Sequence, residues 1–286
     1  MKQSFVKQGV RNGEWKGYAP QLRPRKEMII SNDGSVTLYS KEFNESYHSP
    51  KDGALNESLQ KHVYPAFNLH KDKTSLTILD ICYGLGYNTL ATLYHVKKNN
   101  LPVKLHIISP EFDEALVRSL QGFAYPSEFD SLKSIIEAIS ENFYYEDQQF
   151  KIEVIIGDAR EVLQDIIKNN YTQHSMLSTQ CFHIVYQDAF SPKVNPLLWT
   201  KEWFANIRSL CAEDAVLTTY STAASTRMGL HENGFELYYY DAQNTRRSLI
   251  ASPKRKELIP NIEWIDMELK KRRNPSGRSL RDSDYQ

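Results

Sequence analysis

Residues 76–88, which read Leu-Thr-Ile-Leu-Asp-Ile-Cys-Tyr-Gly-Leu-Gly-Tyr-Asn, decide the fold of this chain. The apolar run at 76–82 has the length of a strand and leads into a glycine turn, and apolar residues then recur at helical spacing over 87–97. Such a pattern is typical of a buried strand followed directly by a helix. We therefore expect the first strand and the first helix of an α/β sheet here.

The same alternation continues toward the C-terminus. Helical patterns occupy 158–168 and 198–210, and strand-length apolar runs occupy 103–109, 151–156, 182–187 and 215–220. An alternation of this kind predicts a parallel sheet with helices on its faces. Ser221 can cap one more helix, which runs to Glu232 and stops at Asn233-Gly234. Strand-like runs at 235–240 and 247–251 follow, so we expect the sheet to finish antiparallel.

The chain divides into three parts on this interpretation. Residues 1–73 fit the alternation poorly; the stretch 31–40 looks like a hairpin or an extended arm, and 57–67 like a helix. We expect this N-terminal addition to pack beside the sheet. Residues 74–252 form the predicted sheet domain, and residues 253–286 form a basic tail that is expected to be flexible.

Composition bounds the class and the location of the protein. Its 286 residues carry 35 Lys+Arg against 35 Asp+Glu, and 41% are hydrophobic, which excludes collagen, coiled coils and wholesale disorder. No apolar run approaches the ~20 residues of a membrane-spanning helix, and the start has no apolar stretch suited to a signal peptide. We expect a cytoplasmic protein without membrane contact. Its three cysteines form no C-x-x-C pair and should be buried, reduced thiols: Cys82, Cys181 and Cys211.

Basic residues concentrate at both ends of the chain. Seven Lys or Arg lie between residues 1 and 26, against the single acid Glu14, and six more lie between 270 and 281. Such clusters hold phosphates, because each neutralised phosphate releases counterions. Simple solvation of mobile termini is the alternative explanation.

Four carboxylates follow the first four predicted strands. They are Asp80 on the first strand, Glu111 after the second, Asp158 after the third and Asp188 after the fourth. Ligands of open α/β sheets bind beyond the carboxyl ends of the strands. A carboxylate such as Glu111 can accept hydrogen bonds from both hydroxyls of a ribose, and Asp158 can accept one from an adenine amino group. These positions favour an adenosine-type cofactor lying across the sheet.

The glycine turn narrows the choice of cofactor. A dinucleotide fingerprint would need glycine where the chain has Thr89, and no phosphate loop ending in Gly-Lys-Ser or Gly-Lys-Thr is present. The pattern acid-x-small-x-Gly-x-Gly, with matched acids on the next strands, resembles class I S-adenosyl-L-methionine-dependent methyltransferases. The resemblance implies their Rossmann-like sheet and S-adenosyl-L-methionine as the cofactor.

A longer resemblance points to one family. Residues 187–200 read Gln-Asp-Ala-Phe-Ser-Pro-Lys-Val-Asn-Pro-Leu-Leu-Trp-Thr, which is similar to the pattern Leu-Asp-Gly-Phe-Ala-Pro-x-x-Asn-Pro-x-Met-Trp-Thr of the MnmC methyltransferase domain. Residues 219–230, 43–47 and 51–57 also resemble that family, and the likeness covers about 29–251. The fused members carry a second, FAD-dependent domain for which this chain is too short, so we expect a stand-alone methyltransferase.

The resemblance implies methylation of 5-aminomethyl-(2-thio)uridine at the wobble position of tRNA. It assigns the reacting amine to Asp188. The residues assigned to the cofactor are Asp80, Gly84, Gly86, Asn88, Glu111, Asp158 and Ala159. The residues assigned to the substrate are Phe190, Asn195, Tyr220 and Arg246. The chain departs from the family at Cys82 and Ala189, where the pattern has glycine, and at 244–248.

Several of these residues also have plain structural explanations. Asp188 can cap a following helix, Trp199 can be a core aromatic, Asn195-Pro196 can be a rigid turn, and Arg246 can lie in a solvated loop. The histidines lack zinc-ligand spacing with cysteine, so no metal is expected. A neighbouring carboxylate such as Asp188 favours the charged ammonium form of the substrate amine. The ammonium must lose a proton before it can react, to water, to Tyr220 or because the pH is higher. The rate of methyl transfer should therefore climb from about pH 7 to 9.

Two other functions remain open on the sequence alone. The first is a nucleoside- or tRNA-binding protein that kept the fold and lost catalysis, for which Cys82 is the main argument. The second is an enzyme of the same fold that alkylates a small amine and does not need basic arms. Absence of S-adenosyl-L-methionine binding would favour the first function. Binding of tRNA that weakens steeply with salt would argue against the second.

Overall fold

The computed structural model describes residues 26–168, 182–257 and 260–285. Within these ranges a nine-stranded sheet has the order β12-β10-β11-β9-β8-β4-β5-β7-β6. The central strands are parallel, and both edges are antiparallel. The bounds are β4 Ser75–Ile81, β5 Lys104–Glu111, β6 Tyr144–Glu146, β7 Phe150–Ile156, β8 Phe182–Gln187, β9 Cys211–Thr219, β10 Glu236–Tyr240, β11 Ser248–Ser252 and β12 Ile262–Trp264. The predicted fold class is confirmed, with β11 and β10 as the antiparallel final strands.

A smaller three-stranded sheet precedes the large one. It consists of β1 Lys26–Ile30, β2 Val36–Ser40 and β3 Glu45–Ser46, in that order. β1 and β2 pair as an antiparallel hairpin. Residues 31–40, expected to be a hairpin or an extended arm, form the turn and the second strand of this hairpin. The predicted helix at 57–67 is longer and has three parts: α1 Ala54–Glu57, a π-helical turn Ser58–Val63 and α2 Tyr64–Asn68.

Helices cover both faces of the large sheet. Along β4, Ile78 packs into the core on one face and Leu79 into the core on the other, because successive strand residues point to opposite sides. The first face is covered by the N-terminal addition, α3 and α5, and the second by α6 and α7. The remaining bounds are α3 Tyr87–Lys98, α4 Glu114–Ser119, α5 Lys133–Asn142, α6 Ala159–Ile167, α7 Lys201–Leu210, α8 Ala224–His231 and α9 Met267–Arg273.

Three features differ from the sequence-based expectation. Helix α8 begins at Ala224, and Ser221 does not cap it; its hydroxyl contacts Oγ1 of Thr226 at 3.0 Å instead of a backbone N–H. The segment between Glu111 and Phe150, to which no element was assigned, contains α4, α5 and β6.

No helix in the described ranges is long and apolar enough to cross a membrane.

The tail is the third difference. Residues beyond 252 were expected to be flexible, but β12 pairs with β10 and Ile265 and Met267 are buried in the core. Asp266 caps α9 by accepting a hydrogen bond from the Leu269 N–H at 2.8 Å. Buried apolar side chains and a capped helix place the described part of this segment against the sheet. The basic cluster at 1–25 and Cys181 lie outside the described residues.

Candidate active site

A cavity of about 1030 Å³ opens at the carboxyl ends of the parallel strands. It lies where β4 separates β5 from β8, the point at which strand order reverses and where α/β sheets bind ligands. Ten of the predicted site residues line it: Gly84, Asn88, Glu111, Asp158, Ala159, Asp188, Phe190, Asn195, Tyr220 and Arg246. Asp80 and Gly86 are not part of the lining.

The glycine turn after β4 has an unusual backbone. Cys82, Gly84 and Gly86 all have positive φ values, of 66°, 54° and 71°. A Cβ at Gly86 would lie 2.7 Å from the hydroxyl oxygen of Tyr83, so only glycine fits this position without strain. Cys82 adopts the left-handed conformation despite its side chain and is partly exposed, not fully buried as expected. The turn lines the cavity through Cys82, Tyr83, Gly84 and Leu85.

Glu111 closes the turn from the next strand. Its Oε2 accepts a hydrogen bond from the Gly84 N–H at 2.7 Å, and its Oε1 accepts one from the Asp113 N–H at 2.7 Å. Burial raises the pKa of Glu111, and these backbone bonds oppose that effect. A carboxylate offers about four acceptor positions, so lone pairs remain for a ligand.

Asp158 stands at the start of α6. Its side chain accepts a hydrogen bond from the Arg160 N–H at 2.7 Å and caps the helix. The carboxylate is exposed to solvent within the cavity lining, beside the buried Ala159. Arg160 in turn donates to both carboxylate oxygens of Asp282, which ties this end of the cavity to the tail.

Asp188 is held from two sides. Asn88 Nδ2 donates to its Oδ2 at 2.8 Å, and Nε2 of His62 lies 3.5 Å from its Oδ1. Burial works to raise the pKa of Asp188, but His62, His48 and the Asn88 hydrogen bond together hold it below its ordinary value. The carboxylate is therefore ionised at neutral pH. It caps no helix, since the next helical turn begins only at Pro196.

Aromatic side chains form the wall opposite the sheet. Phe190 stacks on Phe43 with ring centroids 4.7 Å apart, and Tyr47 meets the same ring edge-on at 5.0 Å. Glu45 fastens the two segments together by accepting a hydrogen bond from the Ser191 N–H at 2.9 Å. Trp199 is a buried core aromatic, which was one of the two explanations considered for it. Its Nε1–H donates to the Phe190 carbonyl.

The remaining predicted substrate residues lie around the cavity. Tyr220 donates its hydroxyl to the Ala189 carbonyl at 2.9 Å. Burial and the nearby carboxylates, Asp188 first among them, raise the pKa of Tyr220, so it stays protonated and is a poor proton acceptor. Asn195 precedes the 3-10 turn Pro196–Trp199. Arg246 is mostly exposed, with Nε 3.5 Å from Oδ2 of Asp52.

Asp80 lies beneath the cavity lining. It is almost fully buried and accepts a hydrogen bond from the Thr89 hydroxyl at 2.7 Å, which joins β4 to α3. Burial raises the pKa of Asp80 to about 7. From this position below the glycine turn, Asp80 supports the turn.

Sequence reasoning missed His62, His48, Phe43 and Tyr47 as parts of the site. His48 and His62 are buried near Asp188, and burial lowers the pKa of His48. The histidines were judged only by metal-ligand spacing, which they lack. Among the described residues no group of three or more His, Cys, Asp or Glu side chains is placed to hold a metal ion. Phe43 and Tyr47 belong to a stretch that the family resemblance marked without assigning roles.

Comparison with known proteins identifies the class. A family profile described as S-adenosyl-L-methionine-dependent methyltransferase matches residues 130–255. The crystal structure of MnmC2 from Aquifex aeolicus is similar with a TM-score of 0.74 and 29% identity, covering 91% of this chain and 79% of that chain. The fold and the site thus define an S-adenosyl-L-methionine-dependent methyltransferase of the α/β class.

Sequence relatives agree with the more specific resemblance. The bifunctional MnmC protein of Aeromonas hydrophila is 26% identical over 233 residues, 75% of this chain and 33% of that protein. An uncharacterized protein of Methanocaldococcus jannaschii is 28% identical over 267 residues, 86% of this chain and 65% of the relative. The chain therefore spans about a third of the length of the Aeromonas protein. Within its class the protein is MnmC-like, as the sequence resemblance implied.

The residues present fit the cofactor of this class. Buried Oδ1 of Asn88 has no hydrogen-bond partner among the described residues, which leaves an acceptor free for an amino group. Glu111 has lone pairs left for a diol, and Gly84 lets a ligand approach the backbone of the turn closely.

Proposed function

We propose that this protein methylates the primary amine of 5-aminomethyl-(2-thio)uridine at the wobble position of tRNA. The observation that carries the proposal is the ionised, buried carboxylate of Asp188, which lines the same cavity as the stacked rings of Phe43 and Phe190. A carboxylate suits an aliphatic amine, and aromatic rings suit an unstacked base. The Aeromonas relative is named for tRNA 5-methylaminomethyl-2-thiouridine biosynthesis, which supports the same substrate.

The proposed chemistry depends mainly on alignment. When bound, S-adenosyl-L-methionine supplies a methyl group on a sulfonium centre, and Glu111, Asp158 and Asn88 would hold it. Transfer to an amine is an in-line displacement that needs no covalent intermediate on the protein. Asp188 accepts a hydrogen bond from the amine nitrogen and directs its lone pair. Because a carboxylate also favours the ammonium form, we expect the rate to rise from about pH 7 to 9.

One exposed cation of the cavity lining, Arg246, suits a phosphate group of a nucleic acid. Arg246 projects its guanidinium at the mouth of the cavity and is 68% exposed. Phosphates bind such exposed guanidinium groups, and enzymes that act on a base must take it out of its stack. An anticodon loop, whose bases can be splayed out, meets both requirements.

Nucleoside mass spectrometry of tRNA tests the proposal. A strain lacking this chain should accumulate the 5-aminomethyl nucleoside and lose the 5-methylaminomethyl product. The wild-type chain should restore the product, and the Asp188→Asn chain should not. An unchanged nucleoside profile, in an organism that makes the product, would contradict the proposal.

A second assay separates tRNA from small amines. Purified protein is given the aminomethyl tRNA or a free primary alkylamine, with radiolabelled S-adenosyl-L-methionine. Methylation of the tRNA alone, with an affinity that falls steeply as salt increases, supports the proposed substrate. Equal efficiency on the free amine would favour the small-amine alkyl transferase.

A further inference from the structure

His62 is a buried histidine with one ring nitrogen facing the proposed amine site. It lies in the π-helical turn Ser58–Val63 and is fully buried. Its Nδ1 is 2.8 Å from the hydroxyl oxygen of Thr218 on β9. Its Nε2 makes no hydrogen bond of standard geometry within the described residues and lies 3.5 Å from Oδ1 of Asp188. Turns of π-helix inside α-helices are frequent at functional sites.

The surroundings fix which nitrogen carries hydrogen. An ionised carboxylate only accepts hydrogen bonds, so the nitrogen that faces Asp188 must be Nε2–H. Thr218 has a hydroxyl, which can donate to a bare Nδ1 or accept from a protonated one. The pocket therefore satisfies both the neutral ring and the imidazolium.

Few other charges act on this pair. The titratable groups that act on it include Asp80, His48, Cys82 and Tyr220. Glu57 and Lys61 act on the neighbouring His48, and the ring of Tyr186 is edge-on to His62 at 5.5 Å. The Lys61 ammonium is 2.8 Å from Asp52 and 2.7 Å from Glu57, so its charge is already balanced. Asp188 is the carboxylate that Nε2 of His62 faces.

We propose that His62 is a positioning residue for methyl transfer, one that orients the Asp188 carboxylate and offsets its negative charge. Nε2 of His62 lies 3.5 Å from Oδ1, and the Asn88 amide donates to Oδ2, so the two side chains flank the carboxylate. An unopposed carboxylate would bind the substrate as an unreactive ammonium. A hydrogen bond from the His62 Nε2–H would occupy part of the acceptor capacity of Asp188, so that Asp188 aligns the nitrogen while holding its proton less tightly. This inference rests on the proposed amine-methylating function.

Two substitutions separate orientation from charge. His62→Gln keeps an N–H donor near Asp188 and cannot become charged, whereas His62→Met has neither property. We expect both to bind S-adenosylhomocysteine within about threefold of wild type, since the inference places His62 on the amine side. In single-turnover assays His62→Met should lose about tenfold or more in rate. The pH range over which its methyl-transfer rate rises should shift to higher pH by about one unit. His62→Gln should recover part of the rate and keep the upward shift.

A matched control lies in the same segment. His70 is also buried, but its ring nitrogens contact the backbone carbonyls of Ala66 and Asp214 at 2.9 and 3.1 Å. His70→Asn should lower the melting temperature and leave the pH profile of methyl transfer unchanged. Equal effects of the two histidines on the pH profile would overturn the proposal.

A readout without catalysis keeps the two proposals distinguishable. Carboxyl ¹³C NMR should show the Asp188 titration moving to higher pH in His62→Met, and imidazole ¹⁵N NMR of the wild type should show hydrogen on Nε2 of His62. An unchanged Asp188 titration, or a bare Nε2, would overturn the inference even if the wild type methylates tRNA. If the wild type does not methylate aminomethyl tRNA, the proposed function fails, and the NMR result still decides whether His62 controls Asp188.

Discussion

At the scale of single residues, the contacts of Asp188 make it the most sensitive position of the cavity. The carboxylate is 8% exposed, is ionised and is held at Oδ2 by Asn88. Asp188→Asn keeps the shape of the side chain and removes the charge and one acceptor. We expect methyl transfer to fall about 100-fold or more, as for loss of a positioned group, with S-adenosylhomocysteine affinity within about threefold.

Isothermal titration and single-turnover assays on the same preparation check this expectation. Asp130→Asn is the control, because Asp130 pairs with Lys133 at the surface. If Asp188→Asn retained wild-type rates, the carboxylate would not be the group that orients the amine.

The sequence indicates which carboxylates follow the strands and therefore lie at one edge of the sheet. Glu111, Asp158 and Asp188 line one cavity because parallel strands end at one edge of the sheet, and the positions of those ends were readable from apolar runs. The place of His62 was not readable. It meets Thr218 across 156 positions of sequence, and only the packing of the N-terminal addition on the sheet brings these side chains together.

At the scale of elements, the segment α1–π–α2 encloses a buried ion triad. Lys61 is 1% exposed and lies between Asp52 and Glu57. Lys61→Met would leave two buried carboxylates without their cation, which costs about 3–5 kcal/mol of unfolding free energy. Urea unfolding at pH 7 measures the loss, and Lys51→Met, at an exposed position next to the triad, should change stability by less than about 0.5 kcal/mol.

The same triad gives a pH dependence with a definite sign. Burial alone would raise the pKa of Asp52, but the hydrogen bond and charge of Lys61 bring it below its ordinary value. A lowered folded-state pKa stabilises the protein above about pH 4 and loses that contribution as pH falls through the folded value. Wild-type stability should therefore drop on acidification below pH ~4 more steeply than that of Lys61→Met. Parallel curves for the two proteins would show that Lys61 does not hold Asp52 ionised.

In the C-terminal tail, tertiary contacts outweigh the local sequence pattern. The tail reads as basic and polar around residues 270–278, which is typical of a solvated segment. Two of its apolar residues, Ile265 and Met267, are nevertheless buried against the sheet. A single buried position every few residues anchors such a segment, and no periodicity window detects it.

At the scale of the whole molecule, the tail braces one end of the cavity. Asp282 accepts hydrogen bonds from the Arg160 guanidinium, two residues after the proposed adenine contact Asp158. Asp282→Asn should weaken S-adenosylhomocysteine binding by up to about fivefold, since a partly exposed pair contributes at most about 1 kcal/mol. The rate at saturating cofactor should be unchanged. Asp284→Asn is the matched control, because Asp284 accepts hydrogen bonds from the tail residues Arg278 and Arg281. A weaker affinity in both variants, or in neither, would contradict the bracing role.

The shared cavity has a kinetic consequence. The residues proposed for the cofactor and those proposed for the nucleoside line one continuous space, with Phe43 and Arg246 at the side where RNA would dock. A docked macromolecule would seal the exit behind a small molecule that had entered first. Turnover should then follow a compulsory order, in which the methyl donor enters first and its demethylated remnant departs last. Product-inhibition patterns measured against each reactant in turn would expose a random sequence if one exists.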